Sequence, residues 1–153
     1  MKKIILMLIF VAGFLSISTA QVDKKTIGVR FGGFSGYGAE VSYQQPLGTN
    51  RLELDLGLNG WGFGLNGLYQ WVKPLPQLYE GFNWYWGVGA GLGFYNFKST
   101  GAAFGVGVLG QIGLEYNFEF PLQLSIDYRP GLYVTPTIYP TYDGICLGAR
   151  YRF

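Results

Sequence analysis

The sequence predicts an all-β chain: an eight-stranded antiparallel up-and-down transmembrane β-barrel behind an N-terminal signal peptide. Three observations predict it. Beyond the first 20 residues no long segment has a helical period, and almost every stretch alternates bulky apolar residues with small or polar ones. Aromatic residues make up 18% of the chain and charged residues 13%, where soluble domains carry about 25% charged residues. The stretch WGVGAGLGFYNF (86–97) places Gly87, Gly89, Gly91 and Gly93 on one alternating register, with Trp86, Val88, Ala90, Leu92 and Phe94 between them.

The chain opens with Lys2-Lys3, an apolar run Ile4–Leu15 and small residues ending Ser18-Thr19-Ala20. That order is the pattern of a secretory signal peptide, with cleavage expected between Ala20 and Gln21. The apolar run is too short for an ordinary membrane-spanning helix. Two domains of the precursor follow: residues 1–20 as signal peptide and 21–153 as the barrel. Without Lys2 and Lys3, nine basic residues balance nine acidic ones. There is no basic stripe, so nucleic acid is not an expected partner. One cysteine, Cys146, excludes an internal disulfide framework.

Eight strands follow in order: Thr26–Phe34, Gly38–Gln45, Arg51–Leu58, Gly62–Val72, Phe82–Phe97, Ala102–Asn117, Leu122–Tyr133 and Asp143–Phe153. The links Ser35-Gly36-Tyr37, Pro46–Asn50, Asn59-Gly60-Trp61, Lys73–Gly81, Lys98–Gly101, Phe118–Pro121 and Val134–Tyr142 are rich in Gly, Pro and Asn. Such short links join antiparallel neighbours. One face of the strands is apolar without interruption, from Ile27, Val29 and Phe31 through Leu52–Leu58 and Trp84–Phe94 to Leu147, Tyr151 and Phe153. The other face holds Arg30, Glu40, Arg51, Glu53, Asp55, Glu115, Asp127, Arg129, Arg150 and Arg152 among glycines and amides.

Five acids, five arginines and no lysine on that second face suit an internal ion-pair network; a water-facing surface is more densely and variously charged. Roughly forty large apolar side chains would overfill an eight-stranded interior, which is just wide enough for side chains. Turned outward into lipid they raise no packing conflict. Glycines on the inner register then leave room for arginine and aromatic side chains reaching across. Two aromatic girdles are expected, Tyr43, Trp71, Trp84, Tyr116, Tyr151 and Phe153 at one interface and Phe31, Trp61, Phe94, Phe104 and Tyr133 at the other.

With its signal peptide, its alternating strands and the terminal GARYRF (148–153), the mature chain resembles the small outer-membrane β-barrels of Gram-negative bacteria, the OmpX/OmpA type. The resemblance implies a location in the cell outer membrane, insertion by the barrel-assembly machinery, lipid as the surrounding partner and both termini in the periplasm. It casts Tyr151 and Phe153 as the assembly signal. Three outer links are only a few residues long, where that family often extends its loops far outward.

No histidine is present. This removes Ser-His-Asp catalysis and His-based metal sites, so neither catalytic nor metal residues are expected, and no cofactor. Gly87–Gly93 does not satisfy a dinucleotide-binding pattern. The candidate functional residues are a lumen cluster, Arg30, Glu40, Glu115, Asp127 and Arg150, because buried charges must be paired. It serves either as a structural plug or as the gate of a narrow ion path. Asp127 and Arg150 are expected at similar depth on adjacent strands, with Arg150 brought near Arg30 where the barrel closes. Cys146 is expected to point inward as a small filler. Val134–Tyr142 (VTPTIYPTY) reads as a stiff outer segment and Lys73–Gly81 (KPLPQLYEG) as an inner turn. The non-enzymatic membrane barrel has two competitors: a narrow ion or small-solute channel, and a soluble lipocalin-like binder of an apolar ligand.

Overall fold

The computed structural model describes residues 22–32, 38–59, 62–97, 101–135, 138–141 and 144–153. The signal peptide, the Ala20–Gln21 junction, the link 35–37, Trp61 and the link 98–100 lie outside the described residues. Ten strand segments follow in order: β1 Thr26–Gly32, β2 Ala39–Leu47, β3 Asn50–Asn59, β4 Gly62–Pro74, β5 Phe82–Phe97, β6 Gly101–Asn117, β7 Leu122–Tyr128, β8 Gly131–Tyr133, β9 Tyr139–Thr141 and β10 Ile145–Arg152.

These segments build eight staves, because β7 with β8 and β9 with β10 are single staves interrupted. Every pairing is antiparallel, and β10 pairs with β1 to close the cylinder. At the first interruption Pro130 lacks an N–H, but its carbonyl accepts from the Gly110 N–H at 2.9 Å, which keeps the register of β7 and β8 against β6 unbroken. At the second, Gly131 pairs with Thr141 while the Arg129 N–H donates to the Gly144 carbonyl. The register against β9 and the register against β10 therefore differ by one residue. The expected link Val134–Tyr142 is accordingly shorter than the sequence suggested, since β9 belongs to the barrel.

Walking round the cylinder through directly paired residues fixes its shape. The path runs Leu122, Tyr151, Ile27, Tyr43, Leu54, Gly67, Ala90, Val108 and back to Leu132 on the starting stave. The stagger is ten residues, from 122 to 132. Eight staves with such a stagger tilt by about 40°. An even stagger also keeps every residue on the path on the same, outer face.

The β2–β3 hairpin turns on only Gly48 and Thr49, since Leu47 pairs with Asn50. Gly48 takes a φ of 69° and Thr49 an ordinary negative one, the pattern of a type II′ turn that demands glycine first. Pro46 is tolerated inside β2 because β1 begins too late to offer its missing N–H a partner.

The two faces separate cleanly. Outward residues remain exposed, including Leu54 (40%), Val108 (63%) and Ile126 (49%), whereas Arg30 (1%) and Asp127 (3%) are enclosed. Among the described residues the buried set is sixteen polar side chains against five apolar ones, Leu68, Val72, Tyr85, Leu109 and Cys146. Outer aromatics pair across strands at both ends. Phe94 stacks between Phe63 at 4.7 Å and Phe104 at 4.8 Å toward the loops, and Trp71 stacks on Trp86 at 4.1 Å toward the termini. A third row, Phe82, Tyr116, Phe118 and Phe120, continues along the terminal-side rim.

Candidate functional site

The inner register of each strand delivers its charges at fixed heights, and they fall into three groups. Nearest the loops, Arg30 sits directly opposite Glu40 on paired strands and contacts it at 2.5 Å. Its guanidinium also pairs with both oxygens of Asp127 and lies 3.7 Å from Asp55. Arg129 crosses from the far wall, donating to both oxygens of Glu40 at 2.6 Å and to Asp55 at 2.6 Å. Two arginines thus hold three carboxylates in a lattice across the lumen, at most about a tenth exposed.

Midway, Arg150 donates to Glu53 at 3.0 Å and to the hydroxyls of Ser42 and Ser125 at 2.9 and 2.8 Å. Glu53 also accepts from Gln44 at 2.7 Å and from Gln111 at 3.1 Å. Toward the termini, Arg51 pairs with Glu115 at 2.6 Å, donates to Gln70 at 2.5 Å and lies 4.7 Å above the Tyr85 ring. Asn83 and Asn117 complete the shell of Glu115. The amides tie the groups together, as Gln70 donates to Gln111 at 2.6 Å.

Of the five residues singled out from the sequence, the structure brings Arg30, Glu40 and Asp127 together. Arg150 and Glu115 belong to the other two groups. Asp127 and Arg150 are not level: Asp127 pairs with Cys146 and Arg150 with Gln123, four residues apart. The partners missing from that set are Arg51, Glu53, Asp55 and Arg129, all on the charged face. The signal that could have found two of them is the two-residue turn Gly48-Thr49. It sets the register that places Asp55 opposite Ser42 and Glu53 opposite Gln44. Cys146 lies inward and buried, at 4% exposure.

Chemically, the arrangement binds its own charges. The hydroxyls of Ser42 and Ser125 both accept from Arg150. Described groups of His, Cys, Asp and Glu offer no metal-holding set. Among the described residues, four buried polar atoms have no hydrogen-bond partner: Arg51 Nη2, Asp55 Oδ1, Gln123 Oε1 and Glu115 Oε2, the last in ion-pair contact with Arg51. A cavity of about 50 Å³, lined by Arg51, Glu115, Gln123 and Arg152 among others, sits at the terminal-side mouth, with room for roughly three or four waters.

The inner glycines make room for this network. A Cβ on Gly113 would fall 2.6 Å from Tyr85 Cζ and 2.7 Å from Asp127 Cβ. Neither can retreat freely, because the Tyr85 hydroxyl donates to Asp127 at 3.1 Å. Gly113→Ala is therefore expected to cost about 1–3 kcal/mol, read as a lowered denaturation midpoint, and to cost less in a Tyr85→Ala background than in the parent. Gly91 and Gly107 make the same accommodation for Tyr133. That tyrosine was expected in the outer girdle; odd-numbered positions of its stave face inward, and it turns into the lumen.

No family model, curated protein or solved structure matches the chain. What the fold establishes is a closed eight-stave barrel with a charged, filled interior and an apolar exterior.

Proposed function

We propose that the chain is an integral barrel of the bacterial outer membrane, non-enzymatic, with a structural or interaction role and a lumen sealed by its arginine–carboxylate network. One observation carries the reading: the inside-out distribution of side chains. A soluble barrel encloses its apolar face; here that face is exposed and four arginines are enclosed, Arg30, Arg51, Arg129 and Arg150. The outward run Trp84–Phe94 on β5, at ~3.3 Å per residue and ~40° of tilt, spans about 25 Å, the height of the apolar band of transmembrane barrels. The lipocalin-like alternative needs an apolar cavity, and the interior offers charges and amides instead. Membrane lipid and, during insertion, the barrel-assembly machinery are the partners this reading requires.

Expressed with its leader in a Gram-negative host, the protein is expected in the outer-membrane fraction. It should migrate faster unboiled than boiled on gels. Recovery from the periplasm without detergent would refute the reading. Purified barrel in planar bilayers is expected to stay silent. Discrete conductance that shifts in Asp127→Asn would replace the sealed lumen by the narrow channel.

A further inference from the structure

Ahead of β1 lie Val22–Lys25, and this segment does not run outward from the rim. Lys25 is pinned by the far end of the chain: its N–H donates to the Phe153 carbonyl at 3.1 Å, and its carbonyl accepts from the Phe153 N–H at 2.9 Å. Upstream of that anchor, Val22 packs against Val72 and Tyr85, which are 1% and 0% exposed. Those two residues are the apolar spot nearest the termini on a mostly polar inner wall. An apolar side chain entering the mouth finds a favourable seat there and nowhere else among the surrounding amides.

Val22 also lines the 50 Å³ cavity, a partly open recess whose wall includes Asp23 and Lys24 together with Arg51 and Gln123. Arg51 Nη2 and Gln123 Oε1 are a donor and an acceptor without protein partners. The recess is thus polar, unsaturated in hydrogen bonds and walled on one side by the N-terminal segment. We propose that Val22–Lys24 is a stopper: Val22 seats on Val72 and Tyr85, narrows the terminal-side mouth, and governs entry of water and small polar solutes into the recess. The device is a property of the lumen and holds whichever solvent wets the outer face, so its failure and that of the membrane reading are separable.

The test uses the full chain carrying Cys146→Ser, so that any introduced thiol reacts alone. With Gln123→Cys as reporter, a small neutral methanethiosulfonate is expected to react slowly. Deleting residues 22–24, or introducing Val22→Asp, is expected to raise the rate on the order of tenfold, as access to a buried thiol controls its reactivity. Equal rates with and without the segment would overturn the proposal. A second measurement needs no deletion: Val22→Cys is expected to react several-fold more slowly than Lys24→Cys in the folded barrel, the two converging in denaturant. A thiol at 22 as reactive as one at 24 shows the segment hanging free and also overturns it.

Discussion

Replacing Arg30 by methionine is expected to remove about 3–5 kcal/mol of unfolding free energy. Arg30 is the shared partner of three carboxylates, Glu40, Asp127 and the more distant Asp55. Methionine fills much of its volume but carries no charge, so the loss is electrostatic. Arg129 still serves Glu40 and Asp55, but Asp127 keeps only the Tyr85 hydroxyl. An uncompensated carboxylate away from water carries a penalty of several kcal/mol. Arg150→Met should cost less, because Arg150 meets two neutral hydroxyls and one carboxylate, Glu53, which keeps Gln44 and Gln111 as donors. Adding Asp127→Leu to Arg30→Met should recover part of the loss, since removing both members of a buried pair can approach neutrality. Reversible denaturant unfolding in detergent or vesicles measures all three. An Arg30→Met barrel within about 1 kcal/mol of its parent would mean that water reaches the lattice and screens it.

Much of this lattice was legible in the sequence, and its failures have physical causes. Alternation alone separated the faces, since period two is a property of the extended backbone and needs no tertiary information. The glycine runs and the charge-free apolar face then decided which side was enclosed. Register is different. A slip of two residues keeps every side chain on its face and moves every partner. Reading Pro46–Asn50 as the link hid the two-residue turn at Gly48-Thr49, and with it the positions of Glu53 and Asp55. Reading Val134–Tyr142 as an unpaired link left the register of the last stave open, so Asp127 and Arg150 looked level when they are four residues apart. Tyr133 was assigned to the lipid interface by its residue type. Parity and the vacancies over Gly91 and Gly107 put it inside.

The sharpest probe of the outer face is a charge at mid-height, and Val88→Lys supplies it. Val88 lies near the middle of the apolar run on β5 and is 52% exposed. If water wets that face, a lysine there changes stability by no more than about 0.5 kcal/mol, the usual range for a surface substitution. If hydrocarbon wets it, the cost at the bilayer midplane is about 2–4 kcal/mol, falling toward zero near the interfaces. The chain contains its own control. Lys73 is the single lysine within the described strands, and it occupies an outward, exposed position near the terminal-side end of β4, opposite Trp84. A lysine at that height can extend its stem along apolar surface while its ammonium reaches the headgroups. Lys73→Val should therefore be nearly neutral while Val88→Lys is costly, and the asymmetry should appear in vesicles. A bilayer has depth and water does not. Equal, small effects at both positions would leave the barrel without a membrane.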